Sequence, residues 1–281
     1  MTVGIVGLGL IGGSLAKAYK AAEHTVLACD ADNSIQEFAM MSGAADDILD
    51  IDGKAAQNSH DCDLILVALY PEAAIEFLKK SAEFIHRKTT VIDCCGTKKN
   101  ICETGFALAE KYGFTFVGGH PMAGKTQSGF KHSSPTLFKG ASMIIVPPVY
   151  DDIVFLDKIK TLLSPAGFGR MTVTTADKHD EVIAFTSQMP HLVSNGFIKN
   201  PIVSAHKGFS AGSYKDLTRV AWLNEEMWTE LFMENREYLL GQLELFIANL
   251  EEYKTALQSE DCALMKKLLR DGRRLKEAER K

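Results

Sequence analysis

The chain has 281 residues, a length that corresponds to about two domains at roughly 150 residues each. Hydrophobic residues make up 46% and charged residues 24%, which is typical of a folded protein and excludes a disordered or collagen-like chain. The 31 basic and 36 acidic residues leave a net charge of −5. This balance excludes nucleic acid as the main partner, because phosphate backbones are bound by a basic surplus.

Several sequence patterns are missing, and each absence makes one kind of protein or site less expected. No apolar run approaches the ~18 residues that span a bilayer, so no membrane segment is predicted. The chain starts on a strand-like segment without a basic leader, which predicts no signal peptide and a cytoplasmic location. None of the six cysteines is spaced as CxxC, and HExxH, EF-hand and P-loop patterns are missing. We therefore expect reduced thiols and no metal.

In the first 174 residues, short apolar runs alternate with helical stretches. Strands are predicted at Thr2–Gly7, His24–Asp30, Asp63–Tyr70, Thr89–Cys95, Thr115–Gly118 and Ala141–Val146. Helices are predicted at Leu10–Ala22, Ser34–Ser42, Glu72–Phe84 and Asn100–Tyr112. The strands are continuously apolar, which is typical of a parallel sheet covered by helices on both faces. The alternation predicts a doubly wound α/β domain over residues 1–174.

From Asp177 onward, few strand-like runs occur and the apolar residues follow a helical period. Two apolar stripes repeat at intervals of three and four residues, at Leu239, Leu240, Leu243, Phe246, Ile247 and Leu250, and then at Leu264, Met265, Leu268 and Leu269. An all-helical domain is therefore predicted over residues 175–281. Such a stripe is buried either in the core of the domain or by dimerisation.

A GxGxxG pattern follows the first strand and opens the first helix, at Gly7, Leu8, Gly9, Leu10, Ile11 and Gly12. Here Gly7 permits a tight turn, Gly9 lets a pyrophosphate approach the backbone, and Gly12 lets the helix pack closely on the strand. The helix N-terminus offers free N–H groups and the positive end of its dipole to an anion. The pattern predicts a dinucleotide site, and the alternative is a glycine-rich turn without a ligand.

Asp30 ends the second predicted strand. In dinucleotide-binding folds, an acidic residue ~20 residues beyond the glycines accepts hydrogen bonds from the ribose hydroxyls, and Asp30 lies close to that distance. The same carboxylate repels a 2′-phosphate, so the sequence predicts NAD rather than NADP. We also expect the cofactor to contact Ala68, Leu69 and Tyr70, the last residues of a predicted strand.

Three polar residues are candidates for the chemistry. His120 follows a strand-like run, where a neutral imidazole can accept a hydroxyl proton; the alternative is a structural histidine. His191 lies early in the helical domain, and it either faces a cleft or is satisfied within the helices. Arg219 lies among apolar neighbours, and it either pairs with Asp216 or binds a carboxylate of a ligand.

A GxSxG match at residues 208–212 suggests a hydrolase nucleophile elbow, but that fold places the triad histidine after the serine. All eight histidines lie at or before His206, so the match is interpreted as a loop or the start of a helix.

Five segments carry a more specific combination of motifs. They are GLGLIGGSLA from Gly7, DCCGTK from Asp93, GGHPMAGKTQSG from Gly118, SQMPH from Ser187, and KDLTRVA from Lys215 followed by Trp228. In this order, they resemble the prephenate/arogenate dehydrogenase family of tyrosine biosynthesis. The resemblance runs across nearly the whole chain, and its HPMAG and MPH segments are far more specific than the glycine pattern.

The resemblance implies a Rossmann domain joined to a helical domain that forms a homodimer, with a small-molecule substrate bound between the domains. It implies that His120 hydrogen-bonds the C4 hydroxyl of the substrate ring and acts as the base, and that His191 lines the substrate pocket. It also implies that Arg219 binds a substrate carboxylate and that Trp228 reaches the site of the other subunit.

Two positions depart from the family pattern. Gly96 stands where many members have Ser, and Thr97 beside it is a candidate hydroxyl partner for His120. Thr126 stands where many members have Glu, with Lys125 before it. We include Gly96, Thr97 and Thr126 among the substrate-binding positions.

Together these observations predict the oxidative decarboxylation of prephenate to 4-hydroxyphenylpyruvate, with hydride transfer to NAD. Arogenate, with an ammonium in place of a keto group, is the alternative substrate, and Lys125 disfavours it. Two further candidates are a Rossmann-plus-helical dehydrogenase of the β-hydroxyacid or imine-reducing kind and a dinucleotide-sensing regulator. Neither of these two accounts for GGHPMAG and SQMPH together.

Overall fold

The protein is described from a computed structural model, which covers residues 1–51, 62–206 and 208–279. Its contacts divide the chain into two compact units. The first contains Met1–Ile183 and Trp222–Glu234, and the second contains Ala184–Ala221 and Asn235–Lys281. The domain boundary after residue 174 stays a prediction.

The first unit is built on one sheet, whose described strands have the order β3-β2-β1-β4-β5-β6-β7-β8. Their bounds are Thr2–Val6 (β1), Thr25–Cys29 (β2), Asp47–Ile48 (β3), Leu64–Val67 (β4), Thr90–Asp93 (β5), Thr115–Pro121 (β6), Ser142–Val146 (β7) and Arg170–Val173 (β8). Strands β1 to β6 follow the strand order of a Rossmann fold and are parallel. The fold class predicted for this part of the chain is confirmed.

Two details of the sheet differ from the sequence-based expectation. Strand β7 pairs with β6 in antiparallel register, with His120 opposite Ile144, so the sheet is mixed and not fully parallel. Strand β6 also extends to Pro121, so His120 lies within a strand and not after one. The reason is that the pairing with β7 continues the ladder beyond the last residue of β5.

Helices of the first unit cover the sheet. They are Leu10–Ala21 (α1), Asn33–Met41 (α2), Pro71–Ser81 (α3), Lys99–Tyr112 (α4), Ile153–Leu163 (α5), Ala176–Ile183 (α6) and, from the later segment, Glu225–Glu234 (α9). Alternate residues of β4 enter two different apolar clusters: Leu64 and Leu66 pack in one, and Ile65 and Val67 in the other. The sheet is therefore buried on both faces, as its continuous apolar strands predict.

The second unit is helical in its described residues. It contains a π-helical turn at Ala184–Gln188, a 3-10 turn at Pro201–Ala205, and the helices Met189–Ile198 (α7), Gly212–Thr218 (α8), Arg236–Gln258 (α10) and Cys262–Glu279 (α11). Helix α10 packs on the π-helical turn and on α7, and its Leu239 is buried. Within the described residues, no helix combines the length and apolar character needed to cross a bilayer.

Candidate active site

The glycine-rich turn between β1 and α1 leaves its backbone open. Gly7 has a φ of +85°, and a Cβ there would lie 2.7 Å from the carbonyl oxygen of Ala68. A Cβ on Gly12 would collide with the carbonyl oxygen of Gly7, whereas one on Gly9 would meet nothing within 4 Å. Gly9 precedes α1 without a side-chain cap, so the first N–H groups of the helix face the open space above Gly9. This arrangement fits a pyrophosphate.

Asp30 lies directly after β2 and is held beside this turn. One oxygen of its carboxylate, Oδ2, accepts a hydrogen bond from the N–H of Leu8 at 2.6 Å, and the other accepts one from the N–H of Asp32 at 3.0 Å. The residues Ala68, Leu69 and Tyr70 follow β4, the neighbour of β1, so they lie at the same carboxyl edge of the sheet. The point between β1 and β4 is where the strand order reverses and where ligands of such sheets bind.

His120 is partly buried at this edge and is bonded to another histidine. Its Nδ1 lies 2.9 Å from Nε2 of His179, which is on α6. The pKa of His120 lies well below its usual value because the ring is buried away from water, and because His179 and the ammonium of Lys98 oppose a further positive charge. His120 is therefore a neutral imidazole at ordinary pH.

The partner of His120 is itself held by a carboxylate. Nδ1 of the buried His179 lies 2.7 Å from Oδ1 of Asp180. Burial lowers the pKa of His179, although the hydrogen bond that its Nδ1 donates to Asp180 works in the opposite direction. Sequence reasoning missed both residues. The signal available was a histidine directly followed by an aspartate, which becomes informative only when α6 is placed beside His120.

Asp180 also binds the start of α4. Its Oδ1 accepts from the N–H of Lys98 at 2.8 Å and its Oδ2 from the N–H of Lys99 at 2.9 Å. These are the residues at which α4 begins, so the carboxylate lies at the positive end of the helix dipole. The bonds fix α6 against α4 and thereby fix the position of the neighbouring His179.

A buried ion pair joins β5 to α4 beneath the histidines. The ammonium of Lys98 bonds the carboxylate of Asp93, and neither side chain is exposed. Asp93 also accepts hydrogen bonds from the N–H groups of Cys95, at 2.9 Å, and Gly119, at 3.0 Å. Burial is the largest influence on the pKa of Lys98 and lowers it, but the Asp93 carboxylate and the nearby cysteines together outweigh burial, and the pKa is raised. The bond to Asp93 fixes Gly119, the residue before His120.

Gly96 and Thr97 contact α9. A Cβ on Gly96 would lie 3.0 Å from Cδ2 of Leu231, so the packing of this leucine leaves little room for a side chain. The hydroxyl of Thr97 donates to Oε2 of Glu234 at 2.6 Å. The ring nitrogen Nδ1 of His120 thus meets His179, and not the hydroxyl of Thr97 that is its candidate partner from the sequence.

The remaining predicted positions are distributed over both units. In the first, Thr126 is exposed, the ammonium of Lys125 donates to the carbonyl of His132 at 2.9 Å, and Trp228 packs on Phe232 of α9. In the second, His191 lies on α7 and Arg219 follows α8.

His191 and Arg219, the two candidate residues of the second unit, differ in what they contact. Nδ1 of His191 donates to the carbonyl of Ser187 at 2.8 Å, which leaves Nε2 as an acceptor when the ring is neutral. Arg219 is exposed, and within residues 1–51, 62–206 and 208–279 it forms no ion pair with Asp216. The GxSxG segment forms a loop that leads into α8 at Gly212, as predicted.

Comparison with known proteins gives a consistent result. Residues 15–172 match the family model described as prephenate dehydrogenase, nucleotide-binding domain, and residues 175–271 match the one described as prephenate dehydrogenase, dimerization domain. The chain is 27% identical to the prephenate dehydrogenase of Lactococcus lactis, over 98% of this chain and 76% of that protein.

Two solved structures, each 25% identical to this chain, have the same architecture. The arogenate dehydrogenase of Synechocystis has a TM-score of 0.79, with 98% of this chain and 99% of that one covered. The prephenate dehydrogenase of A. aeolicus, in complex with hydroxyphenyl propionate and NAD+, has a TM-score of 0.81, with 99% and 98% covered.

Proposed function

Because the chain belongs to the prephenate dehydrogenase family, we propose that it converts prephenate to 4-hydroxyphenylpyruvate and CO2, with NAD as the oxidant. The observation that carries this proposal is the position of His120 near the carboxyl end of β6, with its Nδ1 bonded to His179. A hydroxyl group that loses a hydride from its own carbon must also lose its proton, and His120 is a proton acceptor in the required state.

The reaction needs little from the protein besides orientation and proton transfer. NAD held by the glycine turn and Asp30 would supply the acceptor for the hydride that leaves C4 of the ring. Nε2 of His120 takes the C4 hydroxyl proton, which leaves a dienone. The bond between C1 and its carboxylate then breaks, CO2 leaves, and the electron pair makes the ring aromatic. His120 returns its proton to the phenolate oxygen, so the enzyme ends in its initial state.

The geometry of the glycine-rich turn between β1 and α1 supports NAD as the cofactor. The open backbone at Gly9 and the uncapped start of α1 suit the pyrophosphate. The Asp30 carboxylate suits the hydroxyls of the adenosine ribose and repels the 2′-phosphate of NADP. NAD+ is also the cofactor named in the A. aeolicus complex. We infer that Ala68, Leu69 and Tyr70 contact the cofactor from the adjacent strand end.

The substrate is a dianion, and we infer that Arg219 binds one of its carboxylates. An exposed guanidinium without an ion pair to Asp216 is available for a bidentate contact. His191, with Nε2 as an acceptor, lines the same pocket in this proposal. Gly96, Thr97, Thr126 and Trp228 are the remaining proposed contacts.

Prephenate is favoured over arogenate by Lys125. Its exposed ammonium is held on the carbonyl of His132 and adds a positive charge to the loop after His120. Such a charge opposes the ammonium of arogenate and suits the keto acid. The relatives include an arogenate dehydrogenase, which makes arogenate the second candidate substrate.

The experiment that tests this function follows the formation of reduced cofactor by absorbance. Prephenate and arogenate are each offered with NAD and with NADP, and kcat/KM is determined for the four pairs. We expect prephenate with NAD to give the highest value. Higher kcat/KM with arogenate would move the function to the second candidate, higher kcat/KM with NADP would refute the role of Asp30, and no turnover in any pair would reject the function.

We further propose that the protein is a homodimer formed through its second unit. Several large apolar side chains on α10 and α11 are exposed in the single chain, among them Leu240, Leu250, Leu257 and Leu269. The family model that matches this part of the chain is described as a dimerization domain. Pairing of two such helical surfaces would remove these side chains from water.

A further inference from the structure

His120, His179 and Asp180 form a continuous chain of hydrogen bonds. Nδ1 of His120 lies 2.9 Å from Nε2 of His179, and Nδ1 of His179 lies 2.7 Å from Oδ1 of Asp180. Each contact between two ring nitrogens needs one donor and one acceptor. The direction of the first bond therefore depends on which nitrogen of His179 carries the proton.

Asp180 determines that direction. Its Oδ1 accepts from the N–H of Lys98 and its Oδ2 from the N–H of Lys99, and a backbone N–H can only donate. The carboxylate is thus an acceptor at both oxygens, and it requires a proton on Nδ1 of His179. A neutral His179 then has no proton on Nε2, and this nitrogen can only accept.

The protonation of His179 in turn determines which nitrogen of His120, the proposed base, carries a proton. Because Nε2 of His179 accepts, Nδ1 of His120 must carry the proton of a neutral imidazole. Nε2 of His120 is then the unprotonated nitrogen. This is the atom that the reaction needs as a proton acceptor, and the opposite tautomer would present an N–H to the substrate hydroxyl.

We propose that His179 and Asp180 are positioning residues, which fix the tautomer and the ring orientation of His120 so that Nε2 is the proton acceptor. This rests on the proposed function of His120 as the base. In this chain Gly96 provides no hydroxyl, and the hydroxyl of Thr97 donates to Glu234, so the imidazole of His179 is the described partner that sets the protonation of Nδ1.

The charges around the two rings favour their neutral forms. Below them lies the buried Lys98–Asp93 pair from α4 and β5, and beside them lies Asp180 on α6. Burial comes first among the causes that lower the pKa of each histidine, and the positive charge of Lys98 lowers both further. A second proton on His179 would put two N–H donors against each other across the His120–His179 contact, whereas His120 can take a second proton on Nε2 without disturbing that contact.

Two substitutions of His179 distinguish its role as a hydrogen-bond acceptor for Nδ1–H of His120 from its contribution to packing. In His179→Gln, the side-chain carbonyl oxygen can take the place of Nε2 and accept from His120. In His179→Leu, the acceptor is removed. We expect kcat to fall at least about 10²-fold in His179→Leu and by only a few-fold in His179→Gln, with NAD affinity unchanged in both. Equal values of kcat in the two folded variants would overturn the proposal.

Tautomers can be read directly from nitrogen-15 NMR of the labelled histidines, because protonated and unprotonated ring nitrogens differ strongly in chemical shift. The His120 signals are assigned by their loss in His120→Asn. In the wild-type protein we expect a proton on Nδ1 and none on Nε2. A proton on Nε2 of His120 would overturn the proposal.

Asp180→Asn provides the matching perturbation. With its oxygen turned to the N–H groups of Lys98 and Lys99, the amide NH2 donates to Nδ1 of His179, which reverses both bonds and puts a proton on Nε2 of His120. We expect that tautomer in the spectrum and a loss of kcat approaching the ~10⁴-fold seen for the equivalent change in a serine protease triad. Asp177→Asn is the control, because this substitution removes the same charge from the same helix at an exposed position. An unchanged His120 spectrum in Asp180→Asn would contradict the proposal.

The NMR measurement needs no substrate, so it distinguishes the two proposals. If neither ring acid is turned over but the wild-type tautomer is as expected, the proposed function fails and the positioning by His179 and Asp180 stands. If prephenate is turned over but Nε2 of His120 carries the proton, the positioning fails and the function stands.

Discussion

Protonation of His120 should define the acid limit of activity. The residue acts as a base only when neutral, so kcat/KM falls as the pH drops through its pKa. Burial first, and then His179 and Lys98, hold that pKa well below the ordinary histidine value. Because the shift is downward, His120 stays neutral to a lower pH than an exposed histidine. In a pH–rate profile we expect the acid limb of kcat/KM below about pH 6.5. An acid limb above this pH would contradict the assignment.

Replacement of His120 tests the same role without a change of pH. His120→Asn removes the proton acceptor, and we expect turnover to fall by about 10²–10⁴-fold, the usual contribution of a general base. NAD affinity, measured by titration, should not change. His86→Asn is the control because this histidine precedes β5, at the opposite edge of the sheet. Wild-type turnover in His120→Asn would exclude the base role.

At the residue scale, the sequence predicts what depends on local geometry. The glycine turn is found because strand, turn and helix are contiguous, and Gly7 and Gly12 each face a close backbone contact. His179 and Asp180 could not be found in this way. They are polar residues on a helix, and their role arises only when α6 packs against the start of α4, about 80 residues earlier in the chain.

At the scale of elements, the link between Thr97 and α9 should stabilise the first unit. Thr97 is buried, and its hydroxyl bonds Glu234 at 2.6 Å, so Thr97→Val leaves an oxygen of the partly buried Glu234 carboxylate without this donor. We expect the free energy of unfolding in urea to fall by about 1–3 kcal/mol. Faster hydrogen exchange over residues 225–234 should accompany the loss.

Thr161→Val serves as the control for this substitution. The hydroxyl of Thr161 is exposed and bonds a carbonyl of its own helix, so its loss should change the free energy of unfolding by less than about 0.5 kcal/mol. Equal destabilisation by the two substitutions would show that the bond to Glu234 contributes nothing specific.

The elements themselves were predictable to different degrees. The six predicted strands and four predicted helices of the first unit are all present, because buried apolar runs and amphipathic periods are strong local signals. Strand β3 has only two residues, and β8 is partly exposed with an Arg at its start, so neither produces an apolar run. The antiparallel direction of β7 depends on its pairing with β6, which no local pattern encodes.

At the scale of the molecule, the two units contribute different chemistry. The first holds the glycine-rich turn and His120, and the second holds Arg219 and His191. The family resemblance predicts that all of them serve one reaction. Composition and periodicity alone predict only the division into an α/β part and a helical part, because an exposed arginine shows no preference for a substrate until the motif around it is recognised.

Dimerisation is the prediction that belongs to this scale. Ile247 and Leu250 lie three residues apart on α10, and they are 47% and 50% exposed. Lysines at both positions would bring like charges into an apolar interface, so we expect Ile247→Lys combined with Leu250→Lys to convert the dimer to the 30.9 kDa chain. Light scattering after size exclusion measures the mass, with Glu251→Lys as the control on the same helix. A double variant that keeps the dimer mass would place the interface elsewhere, and a monomeric wild-type protein would reject the homodimer.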